Sequence, residues 1–139
     1  MEQERVKSRS GLELKLGKGG MADIEFLVQA IQLKTGGKKV SLRVPNTFEV
    51  LRAIRKNAIL SRSKAGILQS NYVTLRTLEM LIRLNSPSKA VELPQDKIQM
   101  KALSSAMEER SSHELKSRLA GIRSENRDLF LKTLTSYEK

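Results

Sequence analysis

The residues with the best claim to chemistry sit in one stretch near the start of the chain. Glu13, Lys15, Lys18, Gly19, Gly20, Asp23 and Glu25 all fall in or beside Leu14-Lys15-Leu16-Gly17-Lys18-Gly19-Gly20-Met21-Ala22-Asp23-Ile24-Glu25. A glycine turn leading into a helix exposes backbone N–H groups at the positive end of the helix dipole, an arrangement suited to an anion such as a nucleotide phosphate. Lys15 and Lys18 would reinforce it. Glu13, Asp23 and Glu25 are carboxylates of the kind that hold magnesium beside phosphate oxygens, with Glu13 and Asp23 the candidate metal ligands. By themselves these residues complete neither a Walker loop nor a dinucleotide fingerprint. A structural reading stands beside the functional one: Gly19-Gly20 permits a tight turn, and Asp23 occupies the first helical turn, where an acid is favoured by the dipole.

The elements that must position these residues follow from hydrophobic period. Leu12, Leu14 and Leu16 alternate with polar residues, as in a half-buried strand over Ser10 to Gly17. From Met21 the period changes to that of a helix, with Ile24, Leu27, Val28 and Ile31 on one face and Gly36-Gly37 ending it. A second helix starts at Pro45-Asn46-Thr47 and buries Phe48, Leu51 and Ile54. A third begins near Ser61 or Ser63, carries Ile67, Leu68, Tyr72, Leu75, Leu78 and Ile82, and ends before Ser86-Pro87. Leu93-Pro94 opens a fourth, with Ile98, Leu103 and Met107 facing inward. Ser111-Ser112-His113-Glu114 is a capping box for a fifth, which carries Leu115, Leu119, Ile122, Leu129 and Phe130 and is interrupted on that face by Asn126.

The expected fold is therefore mainly α: a bundle of about five helices preceded by one short strand or extended segment. Residues 1–20 form the tail, strand and glycine loop, residues 21–135 the bundle, and residues 136–139 a frayed end. A lone strand has no partner within the chain, so residues before Gly17 are expected to be disordered or paired with another molecule.

Composition narrows the function. The 139 residues hold 26 Lys and Arg against 15 Asp and Glu, a net charge of +11 that raises the question of nucleic acid. There is no Cys and a single His, which excludes thiol catalysis, thiolate metal sites and a histidine zinc cluster. The basic residues are scattered, and with two Tyr, three Phe and no Trp the chain lacks the stacking platforms of single-strand binders. No apolar run approaches the length of a membrane span, and the expectation is a soluble cytoplasmic protein. Arg76 and Glu79, three apart on a helix, read as a modest ion pair, His113 as solvent-facing, and Asn126 as a satisfied interior amide.

As a whole string, Lys15 to Gln29 resembles the motif of the bacterial glutamine synthetase adenylyltransferase family. The resemblance continues through Leu33, Gly36-Gly37, Leu42-Arg43 and Asn46-Thr47-Phe48-Glu49-Val50-Leu51, then Tyr72, Leu75-Arg76, Leu78-Glu79, Glu92-Leu93-Pro94, Ile122-Arg123 and Leu129-Phe130, covering about residues 12 to 134. It implies a two-headed enzyme that attaches AMP from ATP to glutamine synthetase and removes it by phosphorolysis, under control of glutamine and the signalling protein PII. Each head would be a nucleotidyltransferase core followed by a helical domain, which is shared with the uridylyltransferases that modify PII. Asp23 before Ile24-Glu25-Phe26 points to the adenylylating, C-terminal half. The family's core also carries a Gly-Ser motif and an Asp-x-Asp pair for magnesium and ATP. Neither occurs here: the aspartates are Asp23, Asp96 and Asp128. Two-metal phosphoryl chemistry needs clustered carboxylates. The chain is accordingly expected to be an inactive helical domain of such an enzyme, binding Mg2+ or ATP weakly at most; the alternatives are a basic nucleic-acid-binding module and a catalytically dead interaction bundle.

Overall fold

The structure, a computed structural model, describes residue 14 and residues 17–35, 46–85 and 92–137. Among these residues it contains five α-helices: α1 (Met21–Thr35), α2 (Thr47–Lys56), α3 (Arg62–Asn85), α4 (Lys97–Ala106) and α5 (Ser112–Tyr137). The mainly helical bundle expected from the sequence is the observed architecture.

The helix starts follow from capping chemistry. Asn46 accepts the Glu49 N–H at 3.1 Å, Ser61 the Lys64 N–H at 3.2 Å, and Ser111 the Glu114 N–H at 3.2 Å, so three helices begin where their side-chain oxygens are placed to receive an unpaired amide. The fourth start differs from expectation. Asp96, not the Leu93-Pro94 pair, caps α4 by accepting the Gln99 N–H at 2.9 Å. Met100, Leu103 and Ser104 are buried, whereas Ile98, expected to face the core, is 80% exposed.

Two helices end without glycine. After α2 and after α4 the chain turns through left-handed residues, Ala58 (φ 54) and Glu108 (φ 61). The following amides reach back to close the last turns, Ile59 N–H to the Ile54 carbonyl at 3.1 Å and Glu109 N–H to the Ser104 carbonyl at 2.9 Å.

Packing follows from the pairings. Helices α2 and α3 form an antiparallel hairpin, with Arg55 bonded to Gln69 near the turn at 3.4 Å and Thr47 against Tyr72 at the far end. Helices α1 and α5 lie side by side in the same direction: Asp23 pairs with Arg127 at one level, and Lys34 stands 4.8 Å from the Tyr137 ring at the other. Helix α5 therefore runs through Ser136 to Tyr137, the residues where fraying was expected to begin. One aliphatic core joins the elements, built from Leu14, Ile24, Leu27 and Ile31, from Leu51 and Ile54, from Leu68, Leu75 and Leu78, and from Leu115, Leu119 and Ile122. Each such fully buried aliphatic side chain contributes about 1.5–3 kcal/mol.

Most of the expected N-terminal strand, Leu12 and Leu16 included, lies outside the described residues. Its described positions, Leu14 and Gly17, are both in bends, and Leu14 is fully buried in the helical core, its carbonyl accepting the Met21 N–H at 3.0 Å.

Candidate functional site

The glycine segment folds into a turn pressed against α5. Gly20 N–H donates to the Gly17 carbonyl at 2.9 Å, and Gly19 takes φ +75, the left-handed value a type II turn needs at its third residue. Conformation is only half of the reason for glycine here. A Cβ on Gly19 would lie 2.0 Å from the Arg123 carbonyl oxygen, and one on Gly20 would lie 2.5 Å from the Leu14 carbonyl oxygen, so backbone meets backbone with no room for a side chain.

Helix α5 then grips the turn with side chains. Asn126 donates its amide to the Gly19 carbonyl at 2.7 Å, and Arg123 donates Nη1 to the Lys18 carbonyl at 3.1 Å. Asn126 is 1% exposed, and its own carbonyl oxygen accepts the Asn71 side-chain amide at 2.9 Å, which ties α3 to the same point. This is the satisfied interior amide expected at Asn126. Asp23 completes the latch: Oδ2 accepts the Gly19 N–H at 2.7 Å and the Arg127 guanidinium at 3.1 Å.

The candidate site residues are distributed as follows. Lys18 is exposed at the tip of the turn, Gly19 and Gly20 are buried in it, and Asp23 is committed to Gly19 and Arg127. Glu25 faces a different neighbourhood, close enough to Tyr72 to act on its ionisation. Glu13 and Lys15 lie outside the described residues. The amides of Gly19, Gly20, Met21 and Asp23 all have acceptors inside the chain. Among the described residues no three acidic or histidine side chains cluster as a metal would require. The described groups build a latch in which the turn amides and the Asp23 carboxylate are bonded to partners within the chain.

A second polar cluster joins α1, α2 and α3. Tyr72 is buried, and its phenol is pushed above the ordinary tyrosine range by desolvation and by Glu25, with Glu79 adding to the rise; a hydrogen bond with Thr47 and the charge of Arg76 oppose it. The Arg76–Glu79 pair is more than a surface contact. Glu79 is buried, and its carboxylate is held by Arg76 on one oxygen and by Arg83 on the other at 3.4 Å. Nothing in the i, i+3 spacing distinguishes this from a solvated pair; the burial of Glu79 is set by neighbouring helices. His113 is exposed, as expected.

A mainly helical domain whose helix α5 clamps a glycine turn at the start of α1 defines the class. The chain belongs to the family described as GlnD PII-uridylyltransferase, whose family model matches residues 1–134. It is also similar to proteins named bifunctional glutamine synthetase adenylyltransferase/adenylyl-removing enzyme. The relative from Mycobacterium leprae (strain TN) is 40% identical over 86 residues, covering 62% of this chain and 9% of the relative. That from Vibrio parahaemolyticus serotype O3:K6 is 36% identical over 102 residues, covering 72% and 11%. That from Caulobacter vibrioides is 35% identical over 91 residues, covering 66% and 9%. The matched chain thus spans about a tenth of the length of these curated relatives. Among the described residues no helix is long and apolar enough to cross a membrane.

Proposed function

We propose that this chain is the helical domain of a cytoplasmic nucleotidyltransferase that adenylylates or deadenylylates glutamine synthetase, and that it transfers no nucleotide by itself. The observation that carries the reading is the family match over residues 1–134, taken with relatives whose names specify glutamine synthetase modification. That the sequence carries neither a Gly-Ser nor an Asp-x-Asp motif supports the reading that a core outside these residues would bind magnesium and ATP. In such an enzyme the domain receives the core through the Gly17–Gly20 turn. The latch on α5 then serves as a rigid mount, fixing the angle at which the core leaves the bundle, and PII acts as the regulatory partner.

The test is nucleotide transfer. A polypeptide joining this chain to an upstream nucleotidyltransferase core is expected to move AMP from ATP to glutamine synthetase, and the 139 residues alone to move none. Robust transfer by the isolated chain would refute the reading. A second reading is carried by the family model itself, namely transfer of UMP to PII. The same assay with UTP and PII separates the two.

A further inference from the structure

Helix α3 carries an outward face that nothing within the described chain explains. Val73, Met80 and Leu84 are 46%, 66% and 79% exposed, and with Arg62, Gly66 and Thr77 they fall at spacings of three, four and seven residues, one continuous stripe about 33 Å long. Arg76 and Arg83, seven apart, flank it on one side. The sole acid of α3, Glu79, is buried beneath that flank and shared by both arginines, so the exposed Val73, Met80 and Leu84 stand beside a net positive edge.

Gly66 adds an independent observation. It sits inside a 24-residue helix, where glycine is less favourable than alanine, yet a Cβ there would meet nothing within 4 Å. Nothing within the described chain needs the glycine. A missing side chain on an exposed stripe is what lets a second helix approach closely, and a groove of mixed polar and apolar lining, with Phe48 and Val73 beside Arg55, Gln69, Ser70 and Thr74, lies next to it toward α2.

We infer that this face of α3 docks an acidic amphipathic helix of a partner protein, its apolar residues on Val73, Met80 and Leu84, its backbone closest at Gly66, and its carboxylates on Arg62, Arg76 and Arg83. Charge complementarity selects this occupant over a second copy of the chain, which carries +11. The flanking arginines at heptad spacing match the carboxylate positions of a helix packed along the stripe. The inference stands whether or not the family reading above is correct.

The probe is a fluorescein-labelled synthetic helix of about three heptads, with Leu at the two seam positions of each heptad and Glu at the flanking ones. Fluorescence anisotropy with the full chain is expected to show saturable binding that weakens about tenfold when salt rises from about 0.05 to 0.3 M. Leu84→Ser and Arg62→Glu, both at exposed positions, should each weaken it about fivefold or more with unchanged circular dichroism. Gly66→Ala is the sharper variant: thermal stability should rise while probe affinity falls at least threefold. Gly121→Ala, on α5 and also facing open space, should raise stability and leave the affinity unchanged. Equal binding of a peptide with Lys in place of Glu, or full affinity in both Gly66→Ala and Leu84→Ser, would overturn the inference. So would single-stranded DNA that binds the same residues more tightly than the peptide, or a dimer of the chain that Leu84→Ser dissociates.

Discussion

Asn126 and Gly19, 107 residues apart in sequence, are joined by a 2.7 Å hydrogen bond from the side-chain amide to the backbone carbonyl, buried between α5 and the glycine turn. Its partner bond from Asn71 makes one amide the meeting point of three segments. Asn126→Ala is expected to strand the Gly19 carbonyl, to leave the Asn71 amide with only its 3.3 Å bond to the Glu125 carboxylate, and to destabilise the fold by about 2–3 kcal/mol. Urea denaturation measures it, and a cost below about 1 kcal/mol would show that water replaces the amide without penalty.

Gly19→Ala should be at least as severe. The left-handed φ costs the substituted residue about 1 kcal/mol, and its Cβ would collide with the Arg123 carbonyl, forcing the turn away from α5. The expected loss is about 3 kcal/mol or more, with the Asn126 bond broken in consequence. Hydrogen exchange of the Gly19 and Gly20 amides would report that separation directly, since both are protected only while the turn stays closed.

The left-handed helix ends predict gains. Ala58→Gly and Glu108→Gly remove Cβ strain at positions already in the αL region, and each should stabilise by about 0.5–1 kcal/mol. The two sites lie in separate turns, so the gains should add in the double variant.

These same ends mark where the sequence stops being readable. Asn46, Ser61 and Ser111 announce their helices because a side-chain acceptor next to an apolar period is a local signal. Ala58 and Glu108 announce nothing, since the αL residue is enforced by the closing amides of Ile59 and Glu109 and not chosen for its own preference. Ile98 differs for another reason: it lies five residues before Leu103, about 140° around the helix, and so off the face that Met100, Leu103 and Ser104 bury. At the candidate site, the glycine turn and the odd polar residue at 126 were each visible alone. Their pairing was not, because two complementary groups a hundred residues apart leave no periodicity to detect. The resemblance to a known family supplied the functional frame that charge and glycine spacing left open, whereas the commitment of Asp23 to Gly19 and Arg127 is visible only once α1 and α5 are packed.

Both tyrosines of the chain are held in their protonated form by burial, Tyr72 with further help from Glu25 and Glu79. A folded-state pKa raised above the unfolded value near 10 means that the native state binds the proton more tightly. The corresponding stability is fully present below about pH 10 and is lost as pH rises through the folded-state values. Absorbance at the tyrosinate band should therefore lag behind that of free tyrosine and then rise together with unfolding. Tyr72→Phe is expected to flatten the alkaline limb of the stability profile; an unchanged limb would assign the effect to Tyr137 alone.

Asp23 separates the mounting role from a metal-binding one. As a latch, its carboxylate holds the Gly19 amide and Arg127, so Asp23→Asn and Arg127→Met should each destabilise the isolated chain, by about 1–2 kcal/mol. The double variant should lose less than the sum of the singles, with a coupling near 1 kcal/mol, because each single change removes the same contact. In a polypeptide that includes a transferase core, the latch role requires both variants to depress AMP transfer in parallel with the loss of order at Gly19. A metal-ligand role requires a different split: Asp23→Asn would abolish transfer at unchanged stability, and Arg127→Met, which frees the carboxylate from its cation, would leave transfer intact or raise it. Measured together, stability and transfer in these two variants decide which role the carboxylate holds.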